Sequence, residues 1–170
     1  MKREREFHTF RGYQILDLKD KLLTSSMEDY LEMIYRICLD NGYTRINILS
    51  KRLNVRPSST SKTIQKLGAL GLVDYEKYGI IRLTDEGEAL GSFLLKRHKI
   101  IEEFLLNIGV RETLLKDTEM IEHYISLNTL KKFYIFNKFL SNNREILSIY
   151  NNFKGDYQYK NLDDFYYPEV

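Results

Sequence analysis

The chain has 170 residues, enough for one domain or two small ones, and its 43% hydrophobic residues exclude a disordered chain. The net charge of +2 says little about binding partners, so they have to be inferred from the distribution of charge along the chain. No stretch reaches the apolar length of a transmembrane helix, no signal-peptide core follows the charged N-terminus, and the single cysteine, Cys38, excludes an intramolecular disulfide. We therefore expect a cytoplasmic protein.

The first helix is expected from Thr24 onward, after an N-terminal extension of residues 1–22 whose structure the sequence does not predict. Ser25 and Ser26 are typical N-cap residues, acidic residues follow in the first turn, and Gly42 ends the helix. Apolar side chains recur at helical spacing on one face. They are Met27, Tyr30, Leu31, Ile34 and Cys38.

Two shorter helices are predicted next, from Ile46 to Leu53 and from Pro57 onward. Proline suits the first helical position because its missing N–H would be unpaired there anyway. The second helix is expected to turn Ile46, Leu49 and Leu53 inward. The third helix is expected to bury Thr60, Ile64, Leu67 and Gly71.

The hydrophobic period changes at VDYEKYGIIRLTD, where two β-prone runs flank Gly79 and predict a small hairpin. Thr84 then caps a long helix that runs to Gly109. Two further helices are expected, one at DTEMIEHYIS and one that ends at about Leu140. The remainder, 143–170, is expected to be a helical or loosely ordered tail, because its Asn- and Tyr-rich end has no clear period.

This order of elements is typical of a winged helix-turn-helix, so we predict a mainly α protein with such a domain at 23–86 and helices at 87–142. Between Asn47 and Leu83, seven basic residues outnumber two acidic ones, which gives this segment a charge of +5. Basic charge concentrated on one module favours a phosphate-backbone partner, here double-stranded DNA.

The third helix carries hydroxyl, amide and ammonium groups opposite its buried stripe, the types that contact phosphates and base edges in a major groove. An ordinary solvated helix face is the alternative interpretation. Lys77 and Tyr78 at the hairpin tip either reach a flanking groove of the DNA or form a plain surface turn. The candidate DNA-contacting residues are Arg56, Ser58, Ser59, Lys62, Gln65, Lys66, Lys77 and Tyr78.

Three separate places carry side chains of the types that bind metals. They are Asp29 with Glu32 on the first helix, His98 on the long helix, and the cluster of Glu119, Glu122 and His123. Each has a structural alternative. The acidic groups lie opposite apolar stripes, as on any surface helix, and His98 fits a buried histidine bonded to Glu102. Periodicity does not show that the three places meet.

If the three places do meet, they supply four carboxylates and two imidazoles. Such a set suits Mn(II) or Fe(II) better than metals that prefer sulfur, and it lacks the thiolates of a structural zinc site. Carboxylates clustered without a metal would repel one another. A cation would therefore draw the three helices together and give metal concentration a route to DNA affinity.

The sequence resembles the manganese-responsive transcription regulators of the diphtheria-toxin-repressor family in five segments that occur in order. They are SSMEDYLEMIY, NVRPSSTSKTIQKL, YEKYGIIRLTDEG, RHKIIEEFL and EMIEHYIS, within residues 23–140. The resemblance implies a winged helix-turn-helix followed by a helical metal-binding and dimerisation domain. It further implies a homodimer that binds operator DNA when loaded with metal and represses uptake genes, with no catalysis, membrane partner or small-molecule substrate.

The resemblance also implies a ligand set, since the six side chains of the manganese-type site each have a match here. The matches are Asp29, Glu32, His98, Glu119, Glu122 and His123. It implies two Mn(II) ions per subunit with bridging carboxylates, with Fe(II) as the alternative effector. The extension and the tail have no counterpart in the resemblance. A metal-independent winged-helix regulator and a di-metal enzyme are the rival interpretations of the same residues.

Overall fold

The structure is a computed structural model that describes residue 12, residues 22–76 and residues 79–156. Its chain divides into two compact units, Met1–Lys99 and Ile100–Val170. Apart from residues 12 and 22, the N-terminal extension lies outside the described residues. No helix in the described ranges is both long and apolar enough to cross a membrane.

The first unit begins with three helices, which match the predicted ones. They are α1 (Ser25–Asn41), α2 (Ile46–Arg52) and α3 (Pro57–Ala69). The Thr24 side chain caps α1 by accepting a hydrogen bond from the Met27 N–H at 3.3 Å. Gly42 ends α1 with a φ of 71°, a conformation that glycine adopts without steric cost. Pro57 lies in the first turn of α3, as expected.

A small antiparallel sheet follows these helices in the first unit. Its strands are β1 (Thr44–Arg45), β2 (Val73–Tyr75) and β3 (Ile80–Leu83), in the order β1-β3-β2. The β2–β3 hairpin was predicted, and Asp74 lies opposite Arg82 in it. Strand β1 was not predicted. It pairs Thr44 with Ile81 and so attaches the hairpin to the turn between α1 and α2.

The core of the first unit is built by the predicted apolar stripes. Its largest fully buried apolar side chains are Leu31, Ile34, Leu49, Ile64, Leu67, Leu72, Ile81, Leu90 and Leu94. Gly71 was wrongly expected in this core. It is exposed, because α3 ends at Ala69 and Gly71 forms the following turn with a φ of 72°. Cys38 is half-buried rather than central to the core.

The long helix α4 (Asp85–Ile108) starts in the first unit and is anchored there by Thr84. The Thr84 hydroxyl donates a hydrogen bond to the Gly71 carbonyl at 2.7 Å and accepts one from the Gly87 N–H at 3.1 Å. A Cβ atom at Gly87 would collide with the Leu72 carbonyl, so only glycine allows this close approach. One hydroxyl therefore ties the turn after α3 to the first turn of α4.

The second unit is helical. It contains the end of α4 together with α5 (Leu114–Glu122), α6 (Leu127–Asn142) and α7 (Arg144–Asp156). Phe104 stacks on Phe133 with ring centroids 3.8 Å apart. Buried Asn137 donates to the Ile100 carbonyl at 2.9 Å and accepts from the Asn107 amide at 3.1 Å. These contacts fix α6 against α4.

Helix α7 occupies the start of the segment that the sequence left as helical or loosely ordered. Asn143 precedes it and donates a hydrogen bond back to the Phe139 carbonyl at 2.7 Å. The Tyr150 hydroxyl donates to the Ile108 carbonyl at 3.0 Å. The segment is thus helical through Asp156, and residues 157–170 lie outside the described part of the chain.

Candidate metal centre and DNA-binding face

The first unit brings two of the candidate ligands together, one from α1 and one from α4. Glu32 and His98 are both buried, and they offer ligand atoms within 4.8 Å of each other. Asp29 lies one turn before Glu32 and is half-buried. Glu32 therefore does not lie on a solvated helix face, which was the structural alternative to its prediction as a ligand. A carboxylate loses hydration when it is buried, so its retention here needs a compensating charge.

The second unit brings two further candidates together at the end of α5. The Oε1 atom of Glu122 lies 3.9 Å from the Nε2 atom of His123, and the Glu122 side chain is only 3% exposed. Glu119, the third member of the predicted cluster, is exposed.

The structural alternative for this cluster, a solvated face opposite an apolar stripe, fails for Glu122 but holds for Glu119. The α5 helix ends at Glu122, so Tyr124 lies beyond the helix and is 88% exposed, while Met120 within it is 59% exposed. Thr118 and Glu122, one turn apart, form the buried side instead. The buried positions of α5 are thus polar, whereas an ordinary surface helix buries apolar side chains.

The donor set fits a hard divalent cation. Carboxylate oxygens predominate, and imidazole nitrogen completes the set. Soft thiolate is not offered, because neither group of candidate ligands among the described residues includes Cys38. Buried carboxylates next to imidazoles are costly to maintain in an uncharged interior, and a bound cation offsets that cost.

Two charged neighbours of the candidate ligands were missed by the sequence analysis. Arg97 donates to Glu28 at 2.6 Å, which joins α4 to α1 in the first unit. Arg36 donates to the Oε1 atom of Glu32 from the next turn of α1. Arg97 had a visible signal, since an arginine inside an apolar helical stripe needs a carboxylate partner. Arg36 had only the weak signal of its spacing from Glu32.

The exposed face of α3 carries the side chains expected to contact DNA. Thr60, Ile64 and Leu67 are buried, and the polar residues lie on the opposite side. The exposed ones are Arg56, Ser58, Ser59, Lys62, Gln65 and Lys66. No acidic residue occurs on this helix, so its outer face is uniformly neutral or positive.

The hairpin tip is described only in part. Lys77 and Tyr78 lie outside the described residues. Within the described part of the hairpin, Arg82 on β3 pairs with Glu76 at 3.3 Å and lies 5.5 Å from the centre of the Tyr43 ring.

Two family models match this chain in the order of its two parts. One is described as the iron-dependent repressor N-terminal DNA-binding domain and matches residues 22–81. The other is described as the iron-dependent repressor metal-binding and dimerisation domain and matches residues 84–151. The chain belongs to the iron-dependent repressor family. It is a metal-dependent DNA-binding transcription repressor with a winged helix-turn-helix and a helical dimerisation domain.

Curated relatives of this repressor carry the name HTH-type transcriptional regulator MntR. The protein of Lysinibacillus sphaericus is 44% identical over 110 residues, which span 64% of this chain and 79% of that protein. The protein of Bacillus subtilis is 41% identical over 112 residues, which span 65% and 79%.

Solved structures agree with this assignment. The repressor resembles the manganese regulator SloR with a TM-score of 0.59 and 27% identity, over 70% of this chain and 55% of that one. It resembles the T. acidophilum IdeR with a TM-score of 0.55 and 29% identity, over 62% and 51%.

Proposed function

We propose that this repressor is activated by Mn(II) and controls genes for manganese uptake. The burial of Glu32, His98 and Glu122, three ionisable groups of the kind that manganese prefers, carries the proposal. The relatives named MntR and the similarity to a manganese regulator support the choice of metal. Fe(II) has similar ligand preferences and is the second candidate.

The proposed ligand set has four carboxylates and two imidazoles, enough for two ions per subunit. It consists of Asp29, Glu32, His98, Glu119, Glu122 and His123. When bound, a divalent cation supplies the positive charge that offsets repulsion among these carboxylates. Within the first unit, Glu32 and His98 then hold α1 against α4. Within the second unit, Glu122 and His123 supply ligands from the C-terminal end of α5.

The DNA-binding role follows from the exposed face of α3. Lys62, Lys66 and Arg56 are proposed to contact phosphates, and Ser58, Ser59 and Gln65 to contact phosphates or base edges in the major groove. Lys77 and Tyr78 are proposed to contact the flanking groove. In a dimer, two copies of α3 read half-sites about 34 Å apart, one turn of DNA.

We propose a homodimer that forms through the second unit, the part matched by the dimerisation model. This unit exposes many large apolar side chains in the single chain, which marks a protein contact surface. They include Leu115, Met120, Tyr124, Ile135, Phe139 and Ile149.

The test is a Mn(II) titration of DNA binding with the full chain, using a duplex selected from a random pool by the Mn(II)-loaded protein. We expect chelator to abolish binding and Mn(II) to restore it. The variant Glu122→Gln keeps the shape of the side chain and removes its charge, so it should need at least tenfold more Mn(II). Glu145→Gln, on α7, is the matched control and should behave like the natural chain.

The alternatives give different results in the same titration. Activation at lower Fe(II) than Mn(II) concentration, under anaerobic conditions, would replace manganese by iron as the effector. Binding that is equally tight in the presence of chelator would make the chain a metal-independent regulator. An unchanged Mn(II) requirement in Glu122→Gln would show that the ligand assignment is wrong.

A further inference from the structure

Arg36 forms a close ion pair with one of the proposed metal ligands. Its Nε and Nη2 atoms donate to the same oxygen of Glu32, Oε1, at 2.8 and 2.5 Å. The two residues are one turn apart on α1, with the acidic residue first, the favourable order on a helix. The Glu32 side chain is 9% exposed and the Arg36 side chain 39% exposed.

The burial of Glu32 makes this pair more important than an ordinary surface pair. Exposed ion pairs contribute little, because water solvates both charges equally well when they are apart. Glu32 has lost most of that solvation, so the Arg36 guanidinium compensates part of the cost by placing a positive charge in direct contact with it. Arginine does not lose its proton in proteins, and its positive charge is therefore permanent.

The same carboxylate cannot serve Arg36 and a metal ion equally well. Two N–H groups already occupy the lone pairs of Oε1, and a guanidinium beside a ligand oxygen withdraws charge from it and repels an arriving cation. An arginine here acts in the opposite sense to the carboxylates that usually support metal ligands from behind and raise their basicity.

The next turn of α1 offers Arg36 a second acidic partner. Asp40 is exposed and lines a groove of about 530 Å³ in the first unit together with Arg36, Tyr43 and a second arginine, Arg52. Asp40 follows Arg36 at the same four-residue spacing by which Glu32 precedes it. The arginine side chain therefore has an open space and an opposite charge within reach when it leaves Glu32.

We propose that Arg36 is a resident counter-cation that sets the metal concentration at which this repressor responds. Without metal, Arg36 neutralises Glu32. When a divalent cation takes Glu32, Arg36 moves into the groove and pairs with Asp40. The proposal rests on the proposed function, since it needs Glu32 to be a ligand.

The decisive variant is Arg36→Met, which keeps a long apolar stem and removes the charge. Calorimetric titration of the chelator-treated full chain with Mn(II) should show a dissociation constant about tenfold lower than that of the natural chain, the scale of effects from groups behind metal ligands. The melting temperature of the metal-free protein should fall, because Glu32 loses its partner. The melting temperature at saturating Mn(II) should change little.

Two further variants separate charge from shape. Asp40→Asn removes the second partner and should weaken Mn(II) binding about threefold, opposite in direction to Arg36→Met. Arg82→Met is the matched control, since Arg82 is also paired with a carboxylate in the first unit but lies on β3. It should leave the Mn(II) affinity unchanged.

The outcomes distinguish this proposal from the proposed function. If Arg36→Met binds Mn(II) no more tightly than the natural chain while Glu122→Gln needs at least tenfold more Mn(II), the role of Arg36 is wrong and the metal site stands. If Glu122→Gln binds Mn(II) normally, the proposed metal site is wrong, and the proposed role of Arg36 falls with it. A parallel loss of metal affinity and stability in Arg36→Met would make Arg36 a structural support and overturn the proposal.

Discussion

Arg97 donates a hydrogen bond to Glu28 at 2.6 Å, and this pair joins α4 to α1 directly beside two proposed ligands, His98 and Asp29. Both side chains are largely buried, unlike those of a surface ion pair. The backbones that carry Asp29, Glu32 and His98 are therefore held together without a metal. The ligands that the first unit supplies to the proposed site are therefore already held in place before a metal binds.

Replacing Arg97 by methionine should destabilise the metal-free protein by about 3 kcal/mol, because Glu28 would stay buried without this partner. Urea unfolding in the presence of chelator measures the change. The double variant Glu28→Gln with Arg97→Met should recover part of the loss, since no buried charge remains. A loss below about 1 kcal/mol, the range of exposed pairs, would contradict the importance of the pair.

Replacing Lys62 by alanine should weaken binding to all duplexes by a similar factor, because a phosphate contact carries no sequence information. The slope of log affinity against log salt should fall by about 1, as one counterion fewer is released. Lys132→Ala removes an exposed lysine from α6 and serves as the control. Equal salt slopes for both variants would remove Lys62 from the DNA interface.

Cys38 should react slowly with alkylating reagents in the folded protein. Burial raises the pKa of this thiol, Arg82 opposes the rise, and Glu88 adds to it. A raised pKa means less thiolate at a given pH, and the thiolate is the reactive form. The iodoacetamide rate at pH 8 should therefore lie well below that of the urea-unfolded chain and should still increase above pH 9. Equal rates at pH 8 would contradict this.

Replacing Asn137 by alanine should destabilise the protein by about 2 kcal/mol, because the Ile100 carbonyl and the Asn107 amide both lose a buried partner. Denaturant unfolding of the metal-free chain measures it. Asn142→Ala, at the exposed end of the same helix, should stay within about 0.5 kcal/mol of the natural chain. Similar effects of the two substitutions would mean that the buried amide network contributes nothing specific.

The first unit was largely predictable because its helices obey simple local rules. Gly42 and Pro57 mark helix ends, and the apolar residues between them repeat with the helical period. The N-cap of α1 was misplaced, since Thr24 forms it rather than Ser25 or Ser26. Strand β1 was missed because Thr44–Arg45 is too short to show alternation. Its existence depends on pairing with β3, which a local pattern does not report.

The site was harder to predict because it breaks those same rules. Glu32 and Glu122 are polar residues that the period assigns to solvent, yet both are buried. Met120 and Tyr124 are apolar and exposed in the single chain. Departures from local consistency concentrate at functional sites, where burial serves chemistry rather than stability. The pattern identified the right kinds of residue but not the direction in which they face.

The Thr84 hydroxyl is hydrogen-bonded to both the Gly71 carbonyl and the Gly87 N–H, and so connects the end of α3 to the start of α4. His98 lies fourteen residues after Thr84, on α4, which places it about 21 Å away at the rise of an α-helix. The helix that carries the proposed ligand His98 is thus hydrogen-bonded, through Thr84, to the turn that ends α3. A movement of α4 on metal binding would reach α3 through this connection.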